Sequence, residues 1–302
     1  MTIAKRIFFF LAVNILVLLT LSLILNVLNV RPYITQYGID YQSLMIFCLV
    51  WGMGGALISL ALSRVMAKWI MGVRFIDPDT CDLESKRLLN TVYELARTAH
   101  LTHMPKVGIF TSKEINAFAT GPSKKRSLVA VSTGLLQKMS QKELEGVIAH
   151  EISHIANGDM VTMTLIQGVV NAFVMFLARI LASVISNVGK SRNSSSSGSY
   201  GGYMILVFVF EVIFMILGSV VIAWFSRTRE FRADRGGADL AGKEKMIAAL
   251  ESLMTVQNIK DPKADVPAFQ ALKISTNNKT RFGALFATHP PLQTRIARLK
   301  QL

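Results

Sequence analysis

Charge is scarce in this chain. Only 17% of its 302 residues are charged and 51% are hydrophobic, at a mean hydropathy of +0.42, which excludes an ordinary soluble domain. Acid is scarcer still, with 19 Asp and Glu against 33 Lys and Arg and a formal net charge of +14. In a polar chain that excess would suggest nucleic acid. Here the bases gather beside long apolar runs, where they attract anionic headgroups and fix orientation, so the expected partner is the lipid bilayer and not nucleic acid. Cysteine is almost missing: Cys48 in an apolar run and Cys81 in a polar stretch are unlikely partners, so no disulfide framework is implied. The first apolar run also lacks a small-x-small cleavage site and exceeds the 7 to 15 residues of a signal-peptide core, which favours an uncleaved anchor.

What the chain has in abundance is apolar runs. Four are long enough to cross a bilayer, which takes about 20 residues: Ile7 to Val30, Leu44 to Leu62, Val161 to Val188 and Tyr203 to Phe225. In the second, Gly52, Gly54 and Gly55 offer a smooth surface for another helix. The third carries Gln167, Asn171 and Arg179 and is the least convincing span. Between the last two lies GKSRNSSSSGSYGGY, a stretch too polar and small-sided to bury a core. Lys5 and Arg6 before the first span, Arg64, Lys68 and Arg74 after the second, and Arg227, Arg229, Arg232 and Arg235 after the fourth put those ends in the cytoplasm. The expected organisation is two N-terminal membrane helices (1–62), the first part of a cytoplasmic domain (63–159), a membrane hairpin (160–225) and the rest of that domain (226–302).

The chemistry starts at GVIAHEISHIANGD. Ser140 and Glu143 form an S-x-x-E capping box that predicts a helix from about Gln141, and Gly158 is placed to end it. On that helix His150 and His154, four residues apart, project from one face and can reach one metal ion. Glu151 stands beside them as the base for a water, the H-E-x-x-H arrangement of zinc peptidases. A catalytic zinc needs a third protein ligand and an open position. SRTREFRADRGG supplies Glu230, with Asp234 one turn later to accept the free N–H of a ligating histidine; alternatively both acids pair with Arg227, Arg229 or Arg235 on a solvated face.

Two further stretches suit substrate handling. EINAFATG reads as a strand over Ile115 to Thr120, with SLVAVS as its antiparallel partner, and an exposed edge there would let an extended peptide add as another strand. An ordinary hairpin strand fits equally well. His289 in THPP is either a donor to a developing oxyanion or part of the start of the last helix, and the balance favours the second. Leu292, Ile296 and Leu299 lie at helical spacing and read as core. His100 and His103 have no partner pattern.

The N-terminal spans, HEISH, the hydrophobic hairpin, SRTREFRAD and THPPLQTRIARL occur in the order seen in the HtpX family of bacterial membrane-bound zinc proteases, and the resemblance covers nearly the whole chain. It implies one Zn2+ per chain held by His150, His154 and Glu230, Glu151 as general base, and Asp234 behind the ligands. It places Asn116, Ala117 and Phe118 beside the cleft. It further implies a zincin-like α+β domain with a small sheet on about four transmembrane helices in the bacterial inner membrane, acting on damaged or misfolded membrane proteins; the family is similar to the CaaX prenyl proteases. A membrane assembly factor with a structural zinc, or a prenyl-peptide protease, are the rival functions; the retained Glu151 argues against the first. The oligomeric state leaves no trace in the sequence. One expectation is independent of the family: Arg179 and Glu211, at similar distances from the outer loop, should meet across the hairpin, since isolated charges at that depth are costly.

Overall fold

A computed structural model describes the chain apart from residues 1–14, 18, 31, 36–37, 80, 189–199 and 257–284. By its contacts the chain forms two units. One gathers Leu60–Met163 and Ala223–Leu302; the other gathers the described residues up to Ser59 and Thr164–Ile222.

Three described helices are long and apolar enough to cross a membrane: α2 (Tyr41–Ile70), α6 (Asp159–Val188) and α7 (Tyr200–Ala241). The first expected span is described only as the shorter apolar helix α1 (Ile15–Val27), the rest of it lying outside the described residues, as does most of the serine-rich stretch. Between α1 and α2 a small antiparallel pair, β1 (Ile34–Thr35) and β2 (Gly38–Ile39), turns the chain.

Within the apolar unit the helices meet through small residues. A Cβ on Gly52 would lie 2.5 Å from the backbone nitrogen of Ala172, so only glycine lets α2 and α6 touch at that level, and Gly218 of α7 lies as tightly against Val170. Arg179 and Glu211 do come together: Arg179 Nη1 donates to Glu211 Oε1 at 2.6 Å and to the Met175 carbonyl at 3.0 Å, and its Nε donates to the Tyr33 hydroxyl at 3.3 Å. The guanidinium also lies over the Phe47 ring, 5.5 Å from its centre.

The other unit is built on a four-stranded sheet in the order β3-β4-β6-β5: β3 (Arg74–Phe75), β4 (Lys106–Phe110), β5 (Ala117–Thr120) and β6 (Leu128–Ser132). β4 and β6 run parallel, while β5 pairs antiparallel with β6, Ala117 opposite Val131 and Thr120 opposite Leu128. Side chains alternate across β6, as strand geometry requires. Val129 and Val131 face the main core, whereas Leu128 and Ala130 face a smaller cluster with Phe110, Phe118 and Val73.

On the main-core face lie α3 (Leu83–Thr98), the short α4 (Thr133–Lys138) and α5 (Gln141–Asn157). Ile148, Ile152 and Ile155 of α5 are fully buried among Val92, Leu250 and Met246. Those last two come from α8 (Lys243–Val256), which packs along α5, and α9 (Leu292–Lys300) packs on α8 in turn through Leu292, Ile296 and Leu299. Both cysteines are free.

Candidate metal centre and active site

α5 is built to hold a rigid face. Ser140 Oγ accepts from Glu143 N–H while Glu143 Oε2 accepts from Ser140 N–H at 2.7 Å, closing the expected capping box. At the other end Gly158 adopts φ 72°, ψ 27°, the left-handed conformation that glycine takes without strain, and its N–H bonds back to the His154 and Ile155 carbonyls. That sharp stop lets α6 begin at once, and it turns Asp159 back under the helix just ended.

The two histidines consequently sit on one buried face, 4% and 6% exposed. Each has its own carboxylate behind it. His154 Nδ1 lies 2.6 Å from Asp159 Oδ2, and His150 Nδ1 lies 3.1 Å from Asp234 Oδ1. An ionised carboxylate only accepts, so each ring holds a proton on Nδ1 and presents Nε2 to the site as the atom a metal would take. The two Nε2 atoms are 3.1 Å apart.

Facing them is Glu230 of α7, fully buried, with Oε1 3.3 Å from His154 Nε2 and Oε2 3.5 Å from His150 Nε2. α7 reaches this position because Gly236 lies directly on α5: a Cβ there would come 2.1 Å from Ser153 Oγ.

The donor atoms of His150, His154 and Glu230 all lie within 4.8 Å of one another. A tetrahedral ion with bonds of about 2.05 Å has ligand edges of about 3.3 Å, close to the 3.1 Å between the two Nε2 atoms and to the 3.3 and 3.5 Å from each of them to its nearer Glu230 oxygen. Glu230 Oε2 is buried without a hydrogen-bond partner among the described residues, as an oxygen kept for an ion would be. The local electrostatics agree. Burial disfavours the His150 imidazolium, but Asp234 and Glu230 outweigh it and push its pKa up to about 9 in the metal-free chain, so the site draws in positive charge. Burial likewise opposes ionisation of Glu230, yet the histidines around it hold its pKa well below the carboxylate range. The residues present thus fit a tetrahedral divalent metal.

The sequence reading did not single out two residues around this cluster. Asp159 is one; a Gly-Asp pair directly after the metal helix was its signal. Arg295 of α9, fully buried, grips Asp234 with Nε (2.8 Å) and Nη2 (2.6 Å), and its Nη1 is left 3.6 Å from Glu230 Oε2 without a hydrogen bond. Against the cost of burial, this arginine holds the Asp234 pKa down to about 2. Its signal was an arginine on the same 292/296/299 face that reads as core. Of the pairs with neighbouring arginines weighed for Glu230 and Asp234, the one with Arg229 forms, its Nη2 2.9 Å from Glu230 Oε1, and Asp234 pairs with Arg295 instead.

Beside the cluster a cavity of about 50 Å³, room for an ion and a few waters, is lined by His150, Glu151, His154, Glu230, His289 and the stretch Ala117–Ala119. Glu151 thus shares the cavity with all three candidate ligands. β5 is the edge strand, as EINAFATG suggested, but it is shorter than Ile115 to Thr120, and the Ala117 and Phe118 side chains are buried. Phe118 packs on Phe110, ring centres 5.5 Å apart, so it offers a peptide its backbone and not its ring. Asn116 precedes the strand and is buried, its N–H held by Ser132 Oγ and its Oδ1 without a hydrogen-bond partner among the described residues.

His289 has features of both readings weighed from sequence. The prolines do lead into the last helix, with Pro291 at its N-cap, yet His289 itself lies in the site, Nδ1 2.9 Å from Glu230 Oε2 though not aligned for a hydrogen bond. His103 pairs with its neighbour Thr102, through Nδ1 at 3.0 Å.

Comparison with known proteins agrees with this geometry. The model of peptidase family M48 matches residues 82–302. The chain is 51% identical to the protease HtpX homolog of Bacillus licheniformis, over 98% of this chain and 99% of that protein, and 48% identical to protease HtpX of Shewanella oneidensis over the same shares. The crystal structure of S. mikatae Ste24p superimposes with a TM-score of 0.62 at 18% identity, over 99% of this chain and 66% of that one, which speaks to the fold alone. The chain belongs to peptidase family M48, as one of its HtpX-type membrane metalloproteases.

Proposed function

We propose that the chain is a zinc endopeptidase with His150, His154 and Glu230 as the metal ligands and Glu151 as the general base. The observation that carries this reading is the convergence of the three ligand atoms within 4.8 Å on a cavity that Glu151 also lines. Zinc held there would lower the pKa of a bound water to about 7 and polarise a peptide carbonyl. The protein does the rest. Asp234 and Asp159 keep the imidazole protons on Nδ1, so both lone pairs face inward. Glu151 takes the proton of the attacking water and returns it to the leaving amine. His289, across the cavity, is placed to donate to the developing oxyanion.

A substrate strand would add along the free edge of β5, where Ala117, Phe118 and Ala119 line the cavity. Main-chain pairing accepts many sequences, which suits unfolded segments of damaged membrane proteins as substrates. The Asn116 amide is available to orient the peptide just before the strand. The membrane concerned is the bacterial inner membrane, with the catalytic unit on the cytoplasmic side, as the arginines and lysines flanking the spans favour.

The test is cleavage of an unfolded model protein by the native chain and by Glu151→Gln in detergent, with zinc measured in both. The variant should keep about one zinc per chain and lose cleavage by 10³-fold or more, because ligand and base are separate residues. Zinc in both chains and cleavage in neither would instead favour a structural metal.

A further inference from the structure

A second feature of the catalytic unit lies away from the cavity, where α2 ends. Past its apolar run α2 presents Arg64 and Lys68, and one residue later Trp69, which is 45% exposed. Two bases from much later in the chain gather beside them. Lys68 and Lys106 both sit on the ring of Phe75, 5.9 and 5.4 Å from its centre. Lys106 opens β4 and its N–H bonds the carbonyl of Ser127, the neighbour of Arg126, so Lys106 and Arg126 share one end of the sheet. Arg64 stands one helical turn before Lys68 on α2, on the same side of that helix. Among the described residues none of these four bases has a carboxylate within 4 Å.

Like charges brought together without a counter-charge repel, and an anion from outside relieves that repulsion. The position says which anion. The bases sit at the charged end of a membrane-crossing helix, next to a tryptophan of the kind that lies at headgroup level. A juxtamembrane rule would account for Arg64 and Lys68 alone; Lys106 belongs to β4 and Arg126 to the turn that leads into β6, and neither need have been there. We propose that Arg64, Lys68, Lys106 and Arg126 form a docking face for the phosphate headgroups of anionic phospholipid, which fixes the catalytic unit against the membrane surface.

The full-length chain, purified in neutral detergent, is titrated with phosphatidylglycerol or phosphatidylcholine, and the retained lipid is counted by native mass spectrometry. Phosphatidylglycerol should be retained in preference and should resist displacement by inorganic phosphate. Lys106→Ala with Arg126→Ala, both exposed and outside the active site, should weaken that retention about 25-fold, at about fivefold per charge removed. The charge-keeping pair Lys106→Arg with Arg126→Lys should restore it. Equal retention of both lipids, displacement by inorganic phosphate, or unchanged retention in the alanine pair would each overturn the proposal. Loss of binding to a polyglutamate peptide with lipid retention intact would assign the face to acidic polypeptides and overturn it as well.

Discussion

The two units handle buried charge in opposite ways. The apolar unit admits few charges, and the pair it brings together, Arg179 and Glu211, stays partly exposed at 11% and 28% of its side chains, while the helices meet through Gly52 and Gly218. The catalytic unit buries Arg295, Glu230, Asp234, Asp159, Glu151, His150 and His154, all at 6% exposure or less. In the first the bilayer makes charge expensive, so backbone contact does the work. In the second a cluster of acids and imidazoles is tolerable because an ion and one arginine complete it. Buried charge is thus a liability in one place and the purpose of the other.

The largest effect that should sharpen this contrast is on Arg295. Arg295→Met leaves Asp234 buried without its cation, a loss of about 3–5 kcal/mol, and urea unfolding of the metal-free chain should show it. Recovery on zinc addition should be only partial, because the metal is held by Glu230 and does not take the place of Arg295 at Asp234.

Next in size is Asp159. Asp159→Asn keeps the shape but no longer compels the Nδ1–H tautomer of His154, so chelator competition should report zinc held about 10- to 100-fold more weakly. An unchanged affinity would mean that Asp159 only starts α6.

How far these residues were legible follows from how local their signals are. The metal helix could be read because its cap, its left-handed stop and its two histidines lie within one continuous stretch. β5 and β6 could be read because they are a hairpin. Glu230 is 76 residues beyond His154, so it could be proposed only from the need for a third ligand, and the motif order of the family was what favoured that over pairing with its arginine neighbours. Asp159 and Arg295 went unnoticed for a different reason: each looks structural in its own helix, one as an acidic first residue and the other as a base in a terminal helix. Their role exists only once α5, α7 and α9 are assembled. The parallel pairing of β4 with β6 and the packing of α8 on α5 are likewise tertiary facts that no local pattern records.

A pH effect comes third. Arg295 holds the folded pKa of Asp234 at about 2, below its ordinary value of 3.8. The stabilisation from its charge is therefore complete above about pH 4 and is lost as pH falls toward 2, about 2 kcal/mol in all. Stability curves of the native chain and of Asp234→Asn should lie apart at neutral pH and converge between pH 4 and 2; a gap that persists at pH 2 would locate the stabilisation elsewhere. The smallest effect belongs to the apolar unit. A double-mutant cycle on Arg179→Glu and Glu211→Arg should give a coupling of about 1 kcal/mol, the swapped pair regaining folding that either single change damages, and no recovery would count against the pairing.

The central claim is that this is an open, catalytic metal site, and zinc-edge X-ray absorption on the purified full chain tests it most directly. The account predicts two imidazole nitrogens at about 2.0–2.1 Å and a carboxylate oxygen at about 2.0–2.2 Å, with an exchangeable oxygen completing the shell. Three imidazoles and a carboxylate, with His289 closing the site as a fourth protein ligand, would contradict it.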